Sequence, residues 1–331
     1  MRETVHDVKG IYAIIPTPAI PGADQITTAD TVDYEETVRA VNCMIEDGVD
    51  AIMTTGTFGE AATLTWEEHL NFVATVVEAA KGRVPIYAGA TTLNTRDTIV
   101  RAKAFQEKGV SGLLLGRPMW CECDDDTIVS FYRDVAEAIP ELGIIVYDNP
   151  VAFKGKISSA VYAQLAEIPS IIAAKCTSLG QAFWNDVDAV KGKIRMLPME
   201  RDWYEGWKTK PAEILACWSG AASCGPQPAV QLKRSIFTGD EEKAQEITEG
   251  MQHASQTFFP DGEFKLFAKY NIQLEKIRIN EAGYINAGPS RPPYTKVPEE
   301  YAEGAREAGR RLAELRKKYS GQLTLMNESE S

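Results

Sequence analysis

The chain of 331 residues predicts a (β/α)8 barrel, the TIM-barrel architecture of the α/β class, followed by a C-terminal helical extension. Three observations carry this. Eight short apolar runs recur between Ile11 and Cys224, each closing in small or polar residues. The intervals among the first five hold apolar positions at helical spacing, with a glycine just past the end. Eight strands alternating with helices, in a chain above the roughly 250 residues such a barrel takes, match that fold and few others.

The runs are IYAIIPTP from Ile11, AIMTTGTFGE from Ala51, VPIYAGA from Val84, GLLLGRP from Gly112, GIIVYDNP from Gly143, IIAAKC from Ile171, IRMLPM from Ile194 and EILACWSGAASC from Glu213. The helical intervals include YEETVRAVNCMIEDG, TWEEHLNFVATVVEAAKG and NTRDTIVRAKAFQEKG, and Thr65 with Glu68 has the spacing of a capping box before the second. Connections after the sixth and seventh strands are shorter, SLGQAFWNDVDAVKG being the clearer helix. Residues 1–224 thus form the barrel. From Gly225 the pattern holds three helical stretches, PAVQLKRSIFTGD, GEFKLFAKYNIQLEKIRINEAG and PEEYAEGAREAGRRLAELRKKYS. No Ser/Gly-rich linker precedes them, so residues 225–320 are expected to pack on the barrel rather than stand alone, with 321–331 as a tail.

Composition is that of a globular enzyme-sized chain, 44% hydrophobic and 25% charged. The net charge of −12, without clustered Lys/Arg, argues against nucleic acid or an anionic membrane as partner. The N-terminus lacks the apolar segment of a signal peptide, and no run approaches the roughly 20 apolar residues that span a bilayer, so a cytoplasmic location is expected. Six cysteines and three histidines form no paired knuckles, and the CEC pair (Cys121, Cys123) lacks completing ligands; free thiols and no metal are expected.

In barrels of this kind the chemistry sits at the C-terminal ends of the strands. There the second run closes in Gly56-Thr57-Phe58-Gly59-Glu60, the fourth in Arg117-Pro118-Met119-Trp120, the fifth in Tyr147-Asp148-Asn149-Pro150 and the sixth in Lys175. A lysine at the end of Ile171-Ile172-Ala173-Ala174 loses solvation of its charged form, so its pKa falls. The neutral amine then attacks a carbonyl to form a Schiff base. Such chemistry needs a proton shuttle, which Tyr147 at the neighbouring strand end suits. The glycines around Thr57 and Phe58 let consecutive N–H groups point at an anion such as a carboxylate. Glu60 and Trp66 equally suit opening the next helix. No nucleotide motif occurs.

Taken together, GTFGE, YDNP and the strand-ending lysine resemble the Schiff-base-forming pyruvate aldolases, the family of dihydrodipicolinate synthase and N-acetylneuraminate lyase, over nearly the whole chain. TFGEAATLTWEE, RPMW, FYRDVA, FAKYNIQLEK and AGPSRPPY are most similar to its hydratase-aldolases, which cleave benzylidenepyruvates. The resemblance implies Lys175 as imine-forming nucleophile, Tyr147 as proton relay, Thr57 with the Phe58 amide on the pyruvyl carboxylate, and Trp120 and Asn149 lining the acceptor pocket. Met199, Glu200 and Arg201 after the seventh strand, and Ser219 and Gly220 at the eighth, complete the candidate binding set. It also implies a homotetramer and no cofactor.

Two departures bear on the substrate. Phe58 stands where the family's turn has a second hydroxyl residue, which leaves only a backbone N–H there and favours an aryl group. The histidine expected after the seventh strand in enzymes for hydroxybenzylidenepyruvate is replaced within Leu197-Pro198-Met199-Glu200-Arg201. Arg201 or Lys154 is then the candidate partner for an anionic ring substituent, which favours 2'-carboxybenzalpyruvate as substrate, with pyruvate and an aromatic aldehyde as products. A dihydrodipicolinate synthase or sugar-acid lyase shares Lys175 and Tyr147 but calls for polar recognition, against which Phe58, Trp120, Trp203, Tyr204 and Trp207 speak. A barrel that binds an oxo acid without turnover is the alternative of another class.

Overall fold

A computed structural model describes the backbone of residues 2–176 and 178–327, with side chains through residue 320. Eight parallel strands run β1 Gly10–Ile14, β2 Ala51–Met53, β3 Ile86–Gly89, β4 Gly112–Leu115, β5 Gly143–Tyr147, β6 Ile171–Lys175, β7 Arg195–Leu197 and β8 Ala216–Ser219. Seven lie inside the apolar runs and β1 begins one residue before the first, and every strand residue is buried. Neighbours pair in chain order and β1 pairs with β8. A parallel bridge between Met199 and Trp218 joins the remaining edges, so the sheet closes on itself. This is a (β/α)8 barrel.

Helices α1 Tyr34–Glu46, α2 Trp66–Ala80, α3 Thr95–Glu107, α4 Asp125–Ala138, α5 Ser159–Leu165, α6 Gln181–Val190 and α7 Trp203–Thr209 alternate with the strands. Their starts obey capping chemistry legible in the sequence. Asp33, Asn94, Asp124 and Ser158 each accept an N–H of the first turn, and Thr65 with Glu68 forms the complete capping box of α2. Trp66 opens that helix, whereas Glu60 stays in the preceding loop.

After β8 come α8 Gln227–Thr238, α9 Glu241–Ala254, α10 Phe264–Lys269, α11 Asn271–Ala282 and α12 Glu299–Asn327. Helix α9 falls outside the three helical stretches of the sequence, and α10 and α11 divide the second of them, because the helix breaks at Tyr270, where the backbone departs from helical angles. The last helix extends to Asn327, into the stretch read as a tail, and residues 328–331 and Thr177 lie outside those described. Beside the barrel core sits a second apolar cluster, Phe258, Phe267, Leu274, Ala305 and Ala308, built wholly from this C-terminal part. Its members Phe258 and Phe267 line one cavity together with residues at the C-terminal ends of the strands, forming its roof. Among the described residues no helix is long and apolar enough to cross a membrane, and all six cysteines are free.

Candidate active site

Lys175, the last residue of β6, is only 6% exposed, and its Nζ has no ion pair or hydrogen bond among the described residues. It lies instead 3.6 Å from the centre of the Trp218 ring and 4.7 Å from that of Tyr147. Burial pushes its pKa below the ordinary lysine value, against the weaker opposing fields of Tyr147, Cys176, Glu275 and Glu200. Its chain neighbours Ala173 and Ala174 pair with β5 and β7 and are fully buried, so the amine stands at the end of an apolar strand.

Tyr147 ends β5 directly beside Lys175 in register. Its hydroxyl is 2.6 Å from Thr57 Oγ1 and receives the Asn149 amide at 3.2 Å. The loop that delivers Thr57 is built on constrained backbone: Thr55 has φ 42°, and a Cβ on Gly89 or Gly59 would fall 2.1 or 2.7 Å from Thr55 backbone atoms. Glu60, also at positive φ, anchors the loop through Arg291 and Lys276, and Thr17 bonds the Gly59 carbonyl at 2.7 Å. Among the described residues no backbone carbonyl accepts from the Thr57 or Phe58 N–H.

These side chains floor a cavity at the C-terminal ends of the strands. Thr57, Phe58, Tyr147, Asn149, Lys175, Met199, Glu200, Arg201 and Gly220 all line it. Three candidates do not. Ser219 is fully buried below, its Oγ accepting the Ala222 N–H at 3.0 Å. Trp120 is 77% exposed away from the cavity, touching Lys154 only through its carbonyl, and Lys154 is likewise outside. Trp203, Tyr204 and Trp207 pack on the outer helical layer, where Trp203 Nε1 bonds the Ile214 carbonyl at 3.1 Å.

The aromatic surface comes from elsewhere. Trp218 and, from the roof, Phe258, Phe259, Phe264 and Phe267 face the cavity, the phenyl rings 4.9–6.5 Å apart. The segment FFPDGEFKLF carries that signal in sequence, where its GEFKLF half reads only as the start of a helix beyond the last strand. Polar groups missed with it are Asn271, Glu275 and Arg278 on α11. Arg278 pairs with Glu275 at 2.5 Å and lies 4.2 Å over Phe258. Glu200 takes the Ala221 N–H at 3.1 Å on one oxygen, while its other oxygen, Asn271 Oδ1 and Arg278 Nε are buried without partners. Burial raises the pKa of both Glu200 and Glu275.

A desolvated amine with a hydroxyl pair beside it equips this barrel for carbonyl chemistry. The chain belongs to the dihydrodipicolinate synthetase family, whose model matches residues 23–308. It is 45% identical over 323 residues to the trans-2'-carboxybenzalpyruvate hydratase-aldolase of Nocardioides sp. (strain KP7), covering 97% of each chain. It is also 45% identical over 324 residues to the trans-O-hydroxybenzylidenepyruvate hydratase-aldolase of Pseudomonas putida, covering 96% of this chain and 97% of that one. Among solved structures it superposes on PhdJ bound to a substrate intermediate with a TM-score of 0.95 at 50% identity, covering 96% of this chain and 99% of that one.

Proposed function

We propose that this enzyme is a hydratase-aldolase that cleaves an aryl-substituted unsaturated 2-oxo acid of the benzylidenepyruvate type to an aromatic aldehyde and pyruvate. The observation that carries the reading is Lys175, an unpaired buried amine beside the Tyr147–Thr57 hydroxyl pair at the floor of a phenyl-walled cavity. The neutral Lys175 attacks the 2-oxo carbon, and Tyr147 carries protons on and off the carbinolamine oxygen as water leaves. The resulting iminium is conjugated with the alkene, so water adds its oxygen to the carbon bearing the ring and a proton goes to the adjacent carbon. The new hydroxyl then loses its proton, the bond between those carbons breaks, and its electrons pass to the iminium as an enamine. Protonation and hydrolysis free pyruvate and return Lys175.

Thr57 and the Phe58 N–H hold the substrate carboxylate in this reading, while Phe58, Asn149 and the roof phenyls enclose the aryl end. The favoured substrate is 2'-carboxybenzalpyruvate, with Arg201 at the cavity wall as partner of the ring carboxylate. The phenyl lining weighs against a synthase or lyase for a polyhydroxylated substrate. A homotetramer, carried over from the resemblance, and a cytoplasmic location belong to this reading, with the helices of residues 225–320 acting as part of the same unit as the barrel; light scattering tests the assembly. The reading as a whole is tested by borohydride reduction in the presence of pyruvate followed by peptide mapping, and by loss of ultraviolet absorbance on a panel of benzylidenepyruvates. A reduced adduct on Lys175 and aldehyde release are expected. An adduct on Lys154 or Lys208, or turnover with no adduct, overturns it.

A further inference from the structure

We propose that Phe153, seated in the notch that Gly116 leaves beyond β4, is a positioning residue that fixes the ring of Tyr147 for proton transfer; this rests on the reading of Tyr147 as the proton relay. The two rings meet edge to face, centroids 5.5 Å apart and planes at 86°, a favoured arrangement for an aromatic pair. Phe153 is 3% exposed and does not line the cavity, so it acts on the reaction only through what it touches.

The site of Phe153 is built from both sides. A Cβ on Gly116 would stand 2.0 Å from Phe153 Cζ, so the ring occupies space that only glycine leaves free. On the other face the Arg117 guanidinium lies 5.5 Å from the ring centre. Arg117 is held by buried Asp148 at 3.4 Å and by the Gly155 carbonyl, and Asp148 also takes the Ile157 N–H at 3.3 Å and the Tyr162 hydroxyl at 3.2 Å. One turn therefore grips Tyr147 twice. The Asn149 carbonyl accepts the Phe153 N–H at 2.9 Å, which places the Asn149 amide on the tyrosine hydroxyl and the Phe153 ring on its ring. Tyrosine turns about two soft torsions, and a tilt of about 10–20° is enough to lose productive geometry at its oxygen.

The test is a double-mutant cycle on turnover of 2'-carboxybenzalpyruvate. Phe153→Ala is expected to lower kcat roughly 10- to 100-fold, the scale of a misplaced catalytic group, with KM changed far less. Gly116→Ala, which pushes on the same ring from behind, is expected to lower kcat as well, and combining it with Phe153→Leu to recover part of that loss. In a Tyr147→Phe background Phe153→Ala is expected to cost almost nothing further, because its effect runs through the hydroxyl. An equal factor in both backgrounds, or a folded Phe153→Ala at the wild-type rate, overturns the inference while leaving the role of Tyr147 standing. A wild-type rate for Tyr147→Phe alone removes both. Should Phe153→Ala fail to fold, Phe153→Leu and Gly116→Ala carry the same comparison.

Discussion

Lys175 Nζ rests 3.6 Å from the centre of the Trp218 ring, a contact that joins the ends of β6 and β8 across the closing seam of the barrel. The ring is fixed by its own Nε1, which donates to the Cys176 carbonyl at 2.6 Å. Burial lowers the pKa of this lysine against the Trp218 π-face, which favours the ammonium, and against the fields of Tyr147, Cys176, Glu275 and Glu200, so desolvation decides the direction. Lys175→Arg is expected to keep the fold and abolish both turnover and borohydride trapping, since a guanidinium stays protonated and does not attack. Mass spectrometry of the trapped protein checks it; a modified Lys175→Arg variant would contradict the assignment.

The 2.6 Å contact between Thr57 and Tyr147 makes their substitutions interdependent. Tyr147→Phe is expected to lower kcat roughly 10²- to 10⁴-fold, the usual contribution of a positioned acid-base group, with an unchanged melting curve. Thr57→Val removes the hydroxyl partner at nearly constant volume, and its effect is expected to shrink in the Tyr147→Phe background. Strictly additive losses, read from steady-state kinetics, would place the two hydroxyls in separate tasks.

What the sequence disclosed follows from how directly each feature is coded. Strands buried on both faces read as continuous apolar runs, so all eight were legible, and the residues closing them delivered the floor of the site: Thr57, Tyr147 and Lys175. The roof was not legible, because its phenyls and the Glu275–Arg278 pair sit on helices whose fold-back over the barrel is a tertiary event with no local code. Trp120 misled for a related reason. It closes a strand as the others do, yet the loop turns it outward to 77% exposure, and strand-end position specifies no side-chain direction once the ladder has ended.

Ring specificity is the expectation the structure sharpens most. Arg201 lines the cavity and lies 5.0 Å over the Phe259 ring, whereas Lys154 points to the Trp120 carbonyl outside. Arg201→Ala is therefore expected to lower kcat/KM for the ortho-carboxy substrate about ten- to a hundredfold relative to the ortho-hydroxy one, a charge-assisted pair being worth roughly 1.5–3 kcal/mol. Lys154→Ala is expected to leave that ratio alone. Measuring both substrates with both variants decides it, and an unchanged ratio in Arg201→Ala would remove the guanidinium from substrate selection.

Glu60 ties the Thr57 loop to the C-terminal segment through three contacts. Its carboxylate pairs with Arg291 and, at 2.6 Å, with Lys276, and receives the Arg291 N–H at 2.8 Å, all of it buried. Removing one partner of such a cluster leaves the other charges uncompensated in low dielectric, so Glu60→Gln is expected to cost about 3–5 kcal/mol in denaturant unfolding. Because Arg291 also binds the Pro18 and Thr31 carbonyls, the damage spreads to the loop after β1. A loss below about 1 kcal/mol would mean the cluster relaxes to solvent.

His69 is expected to add to the acid lability of the fold. Its ring is 1% exposed between Trp66 and Phe105, at 6.0 and 5.1 Å, with neither nitrogen in hydrogen-bond geometry although the Gly89 carbonyl is near. Burial, with the Arg101 charge adding to it, pulls its pKa from 6.5 down to about 3. Above pH 6.5 both folded and unfolded chains carry the neutral ring and there is no coupling. Below it the unfolded chain takes up a proton that the native state refuses until pH nears 3, so stability falls across that window by roughly 1.4 kcal/mol per pH unit. The buried carboxyls Glu200 and Glu275, whose pKa values are raised, work in the opposite sense, being protonated in the folded state first. The difference between wild type and His69→Leu isolates the imidazole from them. The variant is expected to be of similar stability at pH 7, where an apolar side chain replaces an unsatisfied ring, and to lose stability less steeply between pH 6 and 4. Parallel slopes for the two proteins in urea unfolding over that range would assign acid lability to other groups.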